Sequence, residues 1–191
     1  MSNNIIGAEG IVVHNGNIVL GLQTPKRWYP LADGRVGAII KTIGGSLEET
    51  DENDSKKAII REVLEEIKGI TKEDIMVREV PIFKKEIKMG ELNPYEKDSN
   101  LAMSAHFYFL ELASIKSIMP RDLPALLEIP IHEFLAVELN KKQKLKNLEK
   151  YIRKNDTLEL NLPEQYAFLI PEEVKDFLYQ RGDEKYKEDS I

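Results

Sequence analysis

The chain has 191 residues, of which 42% are hydrophobic and 31% charged, a composition typical of a globular protein with one domain and some extra length. Its net charge of -6 argues against general binding of polyanions, although an acidic protein can bind phosphates through bridging metal ions. The absence of cysteine excludes a disulfide framework and a thiolate metal site. No signal peptide or transmembrane run is evident, so we expect a cytoplasmic protein without a membrane partner.

The N-terminal part of the chain predicts a β-hairpin. Two apolar, β-branched runs flank the dipeptide Asn15-Gly16, which is typical of tight turns between paired strands. The predicted strands cover residues 8–13 and 18–23.

Residues 24–35 form a predicted loop with aromatic and basic side chains. Trp28 and Tyr29 could stack on a nucleobase, and Arg27 or Arg35 could bind a phosphate. Alternatively, the aromatic rings pack on the sheet and anchor the loop. The residues leave both interpretations open.

Residues 55–68 contain no proline or glycine and predict a helix. Asp54 can accept a hydrogen bond from a free N–H of the first turn, and Gly69 can end the helix because glycine reaches positive φ without steric cost. The predicted buried stripe follows the helical repeat and consists of Ile60, Val63, Leu64 and Ile67.

The opposite face of this helix carries three glutamates. Glu62, Glu65 and Glu66 stand at spacings where like charges repel, and Arg61 relieves part of that repulsion because it can reach Glu65 at i+4. A solvated acidic surface and a site for a hard divalent cation both account for this face. The helix alone favours the solvated surface.

The double glycine upstream changes that balance. An apolar run at residues 36–43 ends at Gly44 and Gly45, where a tight turn can bring backbone groups near the start of the helix. Together with R-E-x-x-E-E on the helix, this arrangement resembles the Nudix box, G-x5-E-x7-R-E-U-x-E-E-x-G-U, with U a bulky apolar residue. The matching positions are Gly45, Arg61, Glu62, Val63, Glu65, Glu66, Gly69 and Ile70.

Two insertions separate this chain from the pattern of the box. The loop after Gly45 is two residues longer than the pattern, and one extra residue precedes Gly69. Counting back from the helix places Asn53 at the position of the loop glutamate, between Glu52 and Asp54.

Downstream of the box, residues 75–89 predict a strand interrupted at Pro81, and residues 90–100 predict a loop. Residues 101–112 form the longest apolar run and predict a central strand. We expect His106, within that run, to be a hydrogen-bonded side chain of the sheet rather than a ligand.

Beyond Ala113 the chain predicts short helices or turns, with residues 131–139 as the clearest helix. Glu128 and Glu133 could supply the further carboxylate that many Nudix proteins place near the site, although surface positions account for both as well.

The rest of the chain carries no Nudix signature. Residues 141–154 are basic and favour a solvated helix face over a nucleic-acid patch. A last helix is predicted to start at Pro171, and the tail after Gly182 is predicted to fray.

The resemblance implies an α/β fold, a Nudix-type α/β/α sandwich with a mixed sheet and extra C-terminal helices. We expect a single Nudix domain over residues 1–191, with a helical extension from about residue 120.

The same resemblance implies a metal-dependent pyrophosphohydrolase that cleaves a nucleoside diphosphate linked to another moiety, with Mg2+ (or Mn2+) as cofactor. The implied metal ligands are Glu62, Glu65, Glu66 and a carbonyl of the glycine pair, assigned to Gly45. The implied catalytic residues are Glu62, as ligand or base, Glu65, and Arg61, which would orient a carboxylate. The substrate-binding candidates are Arg27, Trp28, Tyr29 and Arg35.

Two other function classes remain open from the sequence. A binding module that kept the fold and lost turnover is favoured by the two insertions in the box. A nucleic-acid-binding protein would use the basic segment at residues 141–154. The sequence leaves the substrate and the oligomeric state open.

Overall fold

A computed structural model describes residues 5–77, 81, 83–88, 102–113, 117–136, 145–158, 160, 162–164 and 166–169. Within these ranges, no helix is both long enough and apolar enough to cross a membrane. The predicted loop at residues 90–100 and the predicted C-terminal helix from Pro171 lie outside the described residues.

The described chain consists mainly of β-strands. They are β1 (Ile5–His14), β2 (Asn17–Leu22), β3 (Tyr29–Pro30), β4 (Val36–Lys41), β5 (Ile43–Ser46), β6 (Ile67–Lys68), β7 (Ile75–Val77), β8 (Phe83–Lys88), β9 (Ala102–Leu112), β10 (Met119–Pro120), β11 (Ala125–Pro130), β12 (Ile152–Lys154) and β13 (Tyr166–Leu169). The α-helices are α1 (Ser55–Glu66) and α2 (Ile131–Ala136), and short 3-10 helices cover Pro25–Arg27, Glu49–Asp51, Lys72–Asp74 and Leu145–Tyr151.

The main sheet is mixed. Its central path runs β12-β11-β2-β1-β9-β7, with β4 on β2, β5 on β1 and β8 on β9. β1 and β9 are parallel along their whole length, whereas β1 pairs with β2 and with β5 in antiparallel orientation. Asn15 and Gly16 have φ of 49° and 75°, the left-handed turn that a two-residue hairpin requires. The predicted hairpin is confirmed.

Helices pack on both faces of the sheet. The side chains of each strand alternate between these faces and so contribute to two cores. On β2, Ile18 and Leu20 pack with Phe134 of α2 in one core. Val19, between them, joins the other core with Ile59 and Val63 of α1. The predicted α/β/α sandwich with a mixed sheet is therefore confirmed.

Helix α1 begins where the sequence predicts. Asp54 is its N-cap and accepts hydrogen bonds from the backbone N–H groups of Lys56 at 2.8 Å and Lys57 at 3.4 Å. This contact satisfies donors that the first turn leaves without an intrahelical partner.

The buried stripe and the end of α1 differ from the prediction. Ile59 is fully buried, whereas Ile60 is only partly buried. The helix ends at Glu66 rather than at residue 68, because Ile67 turns extended and pairs with Pro120 of β10. Gly69, with φ of 92°, follows this short strand instead of ending the helix.

The prediction of short helices or turns beyond Ala113 is wrong for β11, which lies in the sheet between β2 and β12. Its residues 125–129 are buried without interruption, the pattern of a strand that is covered on both faces. The helix predicted at residues 131–139 is confirmed as α2 over Ile131–Ala136. Within residues 141–154, where a helix is predicted, the described part is a 3-10 helix over Leu145–Tyr151 followed by β12. The single-domain boundary stays a prediction.

Candidate functional site

The glycine pair lies in β5, which pairs with β1 in antiparallel orientation. The pair faces the carboxylates of α1. Gly44 pairs with Glu9, and a Cβ atom on Gly44 would lie 2.2 Å from the carbonyl oxygen of Ala8. A Cβ atom on Gly45 would lie 2.4 Å from Oε1 of Glu62. Gly44 therefore needs glycine, because its neighbours are backbone atoms and its φ is 154°, whereas at Gly45 the neighbour is the end of the Glu62 side chain. The close approach brings the strand backbone against the acidic face of the helix.

Glu66 is the most deeply buried carboxylate of α1. It is 8% exposed, and its Oε2 is buried without a hydrogen-bond partner. The pKa of Glu66 is raised to about 7, chiefly by burial, with smaller raising contributions from the charges of Glu62 and Glu9.

Lys41, the last residue of β4, is the cation nearest to Glu66. Its Nζ donates hydrogen bonds to Oε1 of Glu66 at 2.6 Å and to the carbonyl oxygen of Gly44 at 2.7 Å. The ammonium group holds the pKa of Glu66 lower than burial alone would place it. Sequence reasoning missed Lys41, because a lysine at a strand end is indistinguishable in sequence from a solvated one.

Arg61 joins the acidic loop to α1. Its guanidinium donates to both carboxylate oxygens of Asp51, at 3.2 and 3.0 Å, and to the carbonyl oxygen of Ser46 at 3.0 Å. It also donates to Glu62 at 3.0 Å and to Glu65 at 2.9 Å. The predicted contact between Arg61 and Glu65 is therefore confirmed.

The charge state of this cluster follows from the same contacts. The hydrogen bond to Asp51 is the largest cause that raises the pKa of Arg61, and the guanidinium lowers the pKa of Asp51 in return. Burial raises the pKa of Glu62, partly offset by Arg61. Arg61 thus fixes a carboxylate on the helix and is itself held by the loop.

Asp51, which the sequence interpretation missed, occupies the loop-acid position beside Arg61. Counting forward from Gly45 by the spacing of the box reaches Asp51, so the two extra residues are Glu52 and Asn53. These have φ of 54° and 61°, a left-handed excursion that takes up the insertion before α1. The contact with Arg61 therefore favours Asp51 over Asn53 as the loop acid.

Glu52, Asn53 and Asp54 lie at or beside the position reached by counting back from the helix, and they have other surroundings in the loop. Glu52 is exposed and pairs with Lys57. Asp54 caps α1, and Asn53 is exposed. None of these positions replaces Asp51 as the partner of Arg61.

Trp28 packs into the protein, which corrects its prediction as a base-stacking residue. It is 8% exposed and belongs to the core beside β2, and its indole Nε1 donates to the carbonyl oxygen of Gln23 at 2.8 Å. The alternative, an aromatic side chain that anchors the loop, holds for this residue. Tyr29 is partly buried in β3, and Arg27 is exposed.

Arg35 is engaged within its own loop. Its Nε and Nη2 donate to Oδ2 of Asp33 at 3.0 and 2.7 Å. This contact closes a turn in which Gly34 has φ of 83°. The roles of Arg27, Tyr29 and Arg35 in substrate binding stay predictions.

The two downstream glutamates have partners outside the α1 cluster. Glu128 is buried on β11, with Oε1 2.7 Å from Nδ1 of His14 and Oε2 2.7 Å from Nη2 of Arg153. Glu133 on α2 accepts from Lys150 at 3.1 Å. These contacts favour structural roles for both carboxylates.

His106 links the start of α1 to β9. Its Nδ1 lies 2.8 Å from the hydroxyl of Ser55, which also lies 2.7 Å from the hydroxyl of Tyr108. The expectation of a hydrogen-bonded sheet histidine is confirmed.

The oxygen atoms around the glycine pair are of the type that binds a hard cation, although Lys41 is hydrogen-bonded to two of them. Carboxylate and carbonyl oxygens are the ligands that Mg2+ prefers, and the unpartnered Oε2 of Glu66 is an oxygen that a cation would satisfy. Over the described ranges, however, no three His, Cys, Asp or Glu side chains are arranged to hold a metal ion. The donor types therefore fit such an ion, and Lys41 occupies two of these oxygens.

The architecture is the Nudix fold. A NUDIX-family hydrolase from Clostridium perfringens is similar at 15% identity and a TM-score of 0.50, over 71% of this chain and 87% of that chain. A C. elegans Ap4A hydrolase (12% identity, TM-score 0.49) covers 77% of this chain and 93% of its own length. An E. coli dihydroneopterin triphosphate pyrophosphohydrolase (14%, TM-score 0.48) covers 76% and 93%. The sequence matches no protein-family model and no curated protein.

Proposed function

We propose that this protein is a metal-dependent pyrophosphohydrolase that cleaves a nucleoside diphosphate linked to another moiety. The observation that carries the proposal is the convergence of the glycine pair with Glu62 and Glu66, in a Nudix fold. A diphosphate is polyanionic and is repelled by an acidic cluster, so catalysis at these carboxylates needs a cation between protein and substrate.

The proposed ligands of Mg2+ (or Mn2+) are Glu62, Glu65, Glu66 and the carbonyl of Gly45, with the Gly44 carbonyl as the neighbouring donor. When bound, the ion supplies charge neutralisation of the phosphate oxygens and a lowered pKa of a bound water. Oxygen ligands from one helix face and one backbone turn are the donor types that these ions take.

Each side chain of the cluster has a role that its contacts support. Arg61 holds Oε1 of Glu62 and Oε2 of Glu65, and so limits the rotation of both carboxylates. Glu62 is partly exposed and has a raised pKa, the two properties required of a residue that accepts a proton from water. Arg27, Tyr29 and Arg35 are the proposed substrate-binding residues on the loop before β4.

One observation favours a second candidate, a Nudix-fold binding module without turnover. Lys41 donates to two of the oxygens that the cation would use. If the ammonium stays there, it occupies oxygens that the proposed metal needs, and the site cannot activate water in the proposed way.

A nucleotide panel with Mg2+ or Mn2+ separates the two candidates. The enzyme should release phosphate-containing products from at least one nucleoside diphosphate conjugate, lose that activity in excess EDTA, and melt at a higher temperature with Mg2+. Binding of a panel member without any product would support the binding module. Full turnover in excess EDTA would contradict the metal-dependent mechanism.

A further inference from the structure

We propose that Lys41 is a built-in counter-cation that competes with the divalent metal for Glu66 and for the carbonyl of Gly44. Metal binding then requires the ammonium to leave, and Lys41 sets how much metal the site binds. The inference rests on the proposed metal site and concerns how that site is regulated.

The contacts of Lys41 are those of a cation in an oxygen site. Its Nζ donates to a carboxylate at 2.6 Å and to a backbone carbonyl at 2.7 Å, and it makes both bonds at the glycine pair. Lys150, which pairs with Glu133 at the surface, keeps 57% of its side chain exposed. Lys41 instead keeps only 19% of its side chain exposed, beside a carboxylate that is 10% exposed.

The backbone is arranged so that the lysine stem can reach this position. Lys41 ends β4 and pairs with Gly21 of β2. A Cβ atom on Gly21 would lie 3.5 Å from Cγ of Lys41, so the stem runs over a residue without a side chain. A long apolar stem on a packed surface with its charge at a polar site is the common arrangement of a partly buried lysine.

Of the two cations in this cluster, Lys41 is the one that contacts Glu66. Arg61, the other cation of the cluster, bonds to Asp51, Glu62 and Glu65. Lys41 satisfies Oε1 of Glu66 and leaves Oε2 buried without a partner. One ammonium therefore compensates the buried carboxylate incompletely, and a divalent ion brings twice the charge to the same oxygens.

Competition follows from electrostatics. A metal ion and an ammonium that share Glu66 and the Gly44 carbonyl repel each other strongly at contact distance. Removing the lysine charge should therefore tighten metal binding, whereas removing an exposed lysine charge elsewhere should change little, because salt and water screen it. Lys154, exposed on β12, provides that control.

The first test is Mn2+ binding to wild type, Lys41→Met and Lys154→Met, measured by titration calorimetry on proteins whose fold is checked by circular dichroism. We expect Lys41→Met to bind Mn2+ about tenfold more tightly or better. Lys154→Met should stay within about twofold of wild type. Equal or weaker binding by Lys41→Met would overturn the inference, even while wild-type binding upholds the proposed metal site.

The remaining outcomes separate the two proposals. Binding by Lys41→Met but not by wild type would support the competing lysine and contradict the metal-dependent function of the natural chain. Binding by neither protein would overturn both.

The second test uses the wild-type protein and does not depend on the variant folding. Lysine acetylation is followed by peptide mass spectrometry with and without Mg2+, with Lys154 as the internal reference. We expect Mg2+ to raise the reactivity of Lys41 several-fold relative to Lys154, because the displaced amine leaves its hydrogen bonds. Unchanged or lowered relative reactivity at a Mg2+ concentration that raises the melting temperature would overturn the inference.

Discussion

Asp51 and Arg61 show how one buried acid organises the acidic loop. The Asp51 side chain is 3% exposed and accepts two hydrogen bonds from Arg61, and it also accepts from the backbone N–H of Glu48. A buried charge that loses its partner is destabilising, since the low-dielectric surroundings no longer compensate it. Arg61 thus has a structural role in addition to its proposed role at the site.

The first prediction concerns Asp51→Asn. The pKa of Asp51 is below its ordinary value in the folded protein, chiefly because of the hydrogen bond from Arg61. Its contribution to stability is therefore present above the ordinary pKa and is lost as the pH falls through the folded pKa. We expect Asp51→Asn to lose about 3 kcal/mol of unfolding free energy at pH 7 and progressively less below about pH 4.

Denaturant unfolding from pH 7 to pH 3 measures this difference, with Asp33→Asn as the control. Asp33 also pairs with an arginine, but its side chain is 40% exposed, so its loss should cost about 1 kcal/mol or less. Equal deficits for the two variants would show that the Asp51 pair is no stronger than an exposed one.

The element that the sequence predicts best is α1, although the prediction of its buried face is wrong. Its start at Asp54 and its glutamate register are local properties, readable from side-chain spacing and the cap. Its buried face cannot be read from local sequence, because the angle at which the helix packs on the sheet decides whether Ile59 or Ile60 faces the core. The sheet in this protein selects Ile59.

The second prediction compares truncation of these two isoleucines. Ile59→Ala empties a fully buried position and should cost about 3 kcal/mol, the usual range for a cavity in a packed core. Ile60→Ala removes a partly buried side chain and should cost about 1 kcal/mol. Chemical unfolding of both variants measures the order, and a larger loss for Ile60→Ala would contradict the orientation of α1.

The insertion in the acidic loop gives the third prediction. Glu52 has φ of 54°, a conformation that costs an ordinary residue free energy and glycine little. Its ion pair with Lys57 is exposed and contributes little. We expect Glu52→Gly to raise the unfolding free energy by about 0.5 kcal/mol.

Glu49→Gly is the matched control for that variant, because Glu49 lies in the adjacent 3-10 helix Glu49–Asp51, outside the left-handed turn. It should lower the unfolding free energy by up to about 1 kcal/mol, since glycine only adds chain entropy there. Thermal melts distinguish the pair, and a loss of stability in Glu52→Gly would show that its side chain has a role beyond the turn.

At the scale of the whole molecule, the sequence predicts the sandwich but not how its C-terminal half completes it. The start of α1 at Asp54 and the Asn15-Gly16 hairpin are local signals, and both are confirmed. β11 is flanked by prolines and lacks alternation, because both of its faces are buried, so its strand character depends on β2 and β12. Lys41 and Glu66 are 25 positions apart and meet only through the fold.

The central claim is that the carboxylates of α1 beside the glycine pair form the catalytic site of a pyrophosphohydrolase. Glu66 tests it most directly, because it is the buried carboxylate of α1, and glutamine keeps its shape while removing its charge. Glu149→Gln, an exposed change on the short helix at the opposite face, provides the matched control.

The measurement is the steady-state rate of diphosphate cleavage in Mg2+ on the best substrate of the nucleotide panel, beside a melting curve in EDTA. For Glu66→Gln we predict a rate about a hundredfold or more below wild type, in a variant whose cooperative melting transition in EDTA shows that it is folded. Glu149→Gln should keep the wild-type rate. A Glu66→Gln rate within about twofold of wild type would contradict the assignment of the α1 carboxylates to the catalytic site.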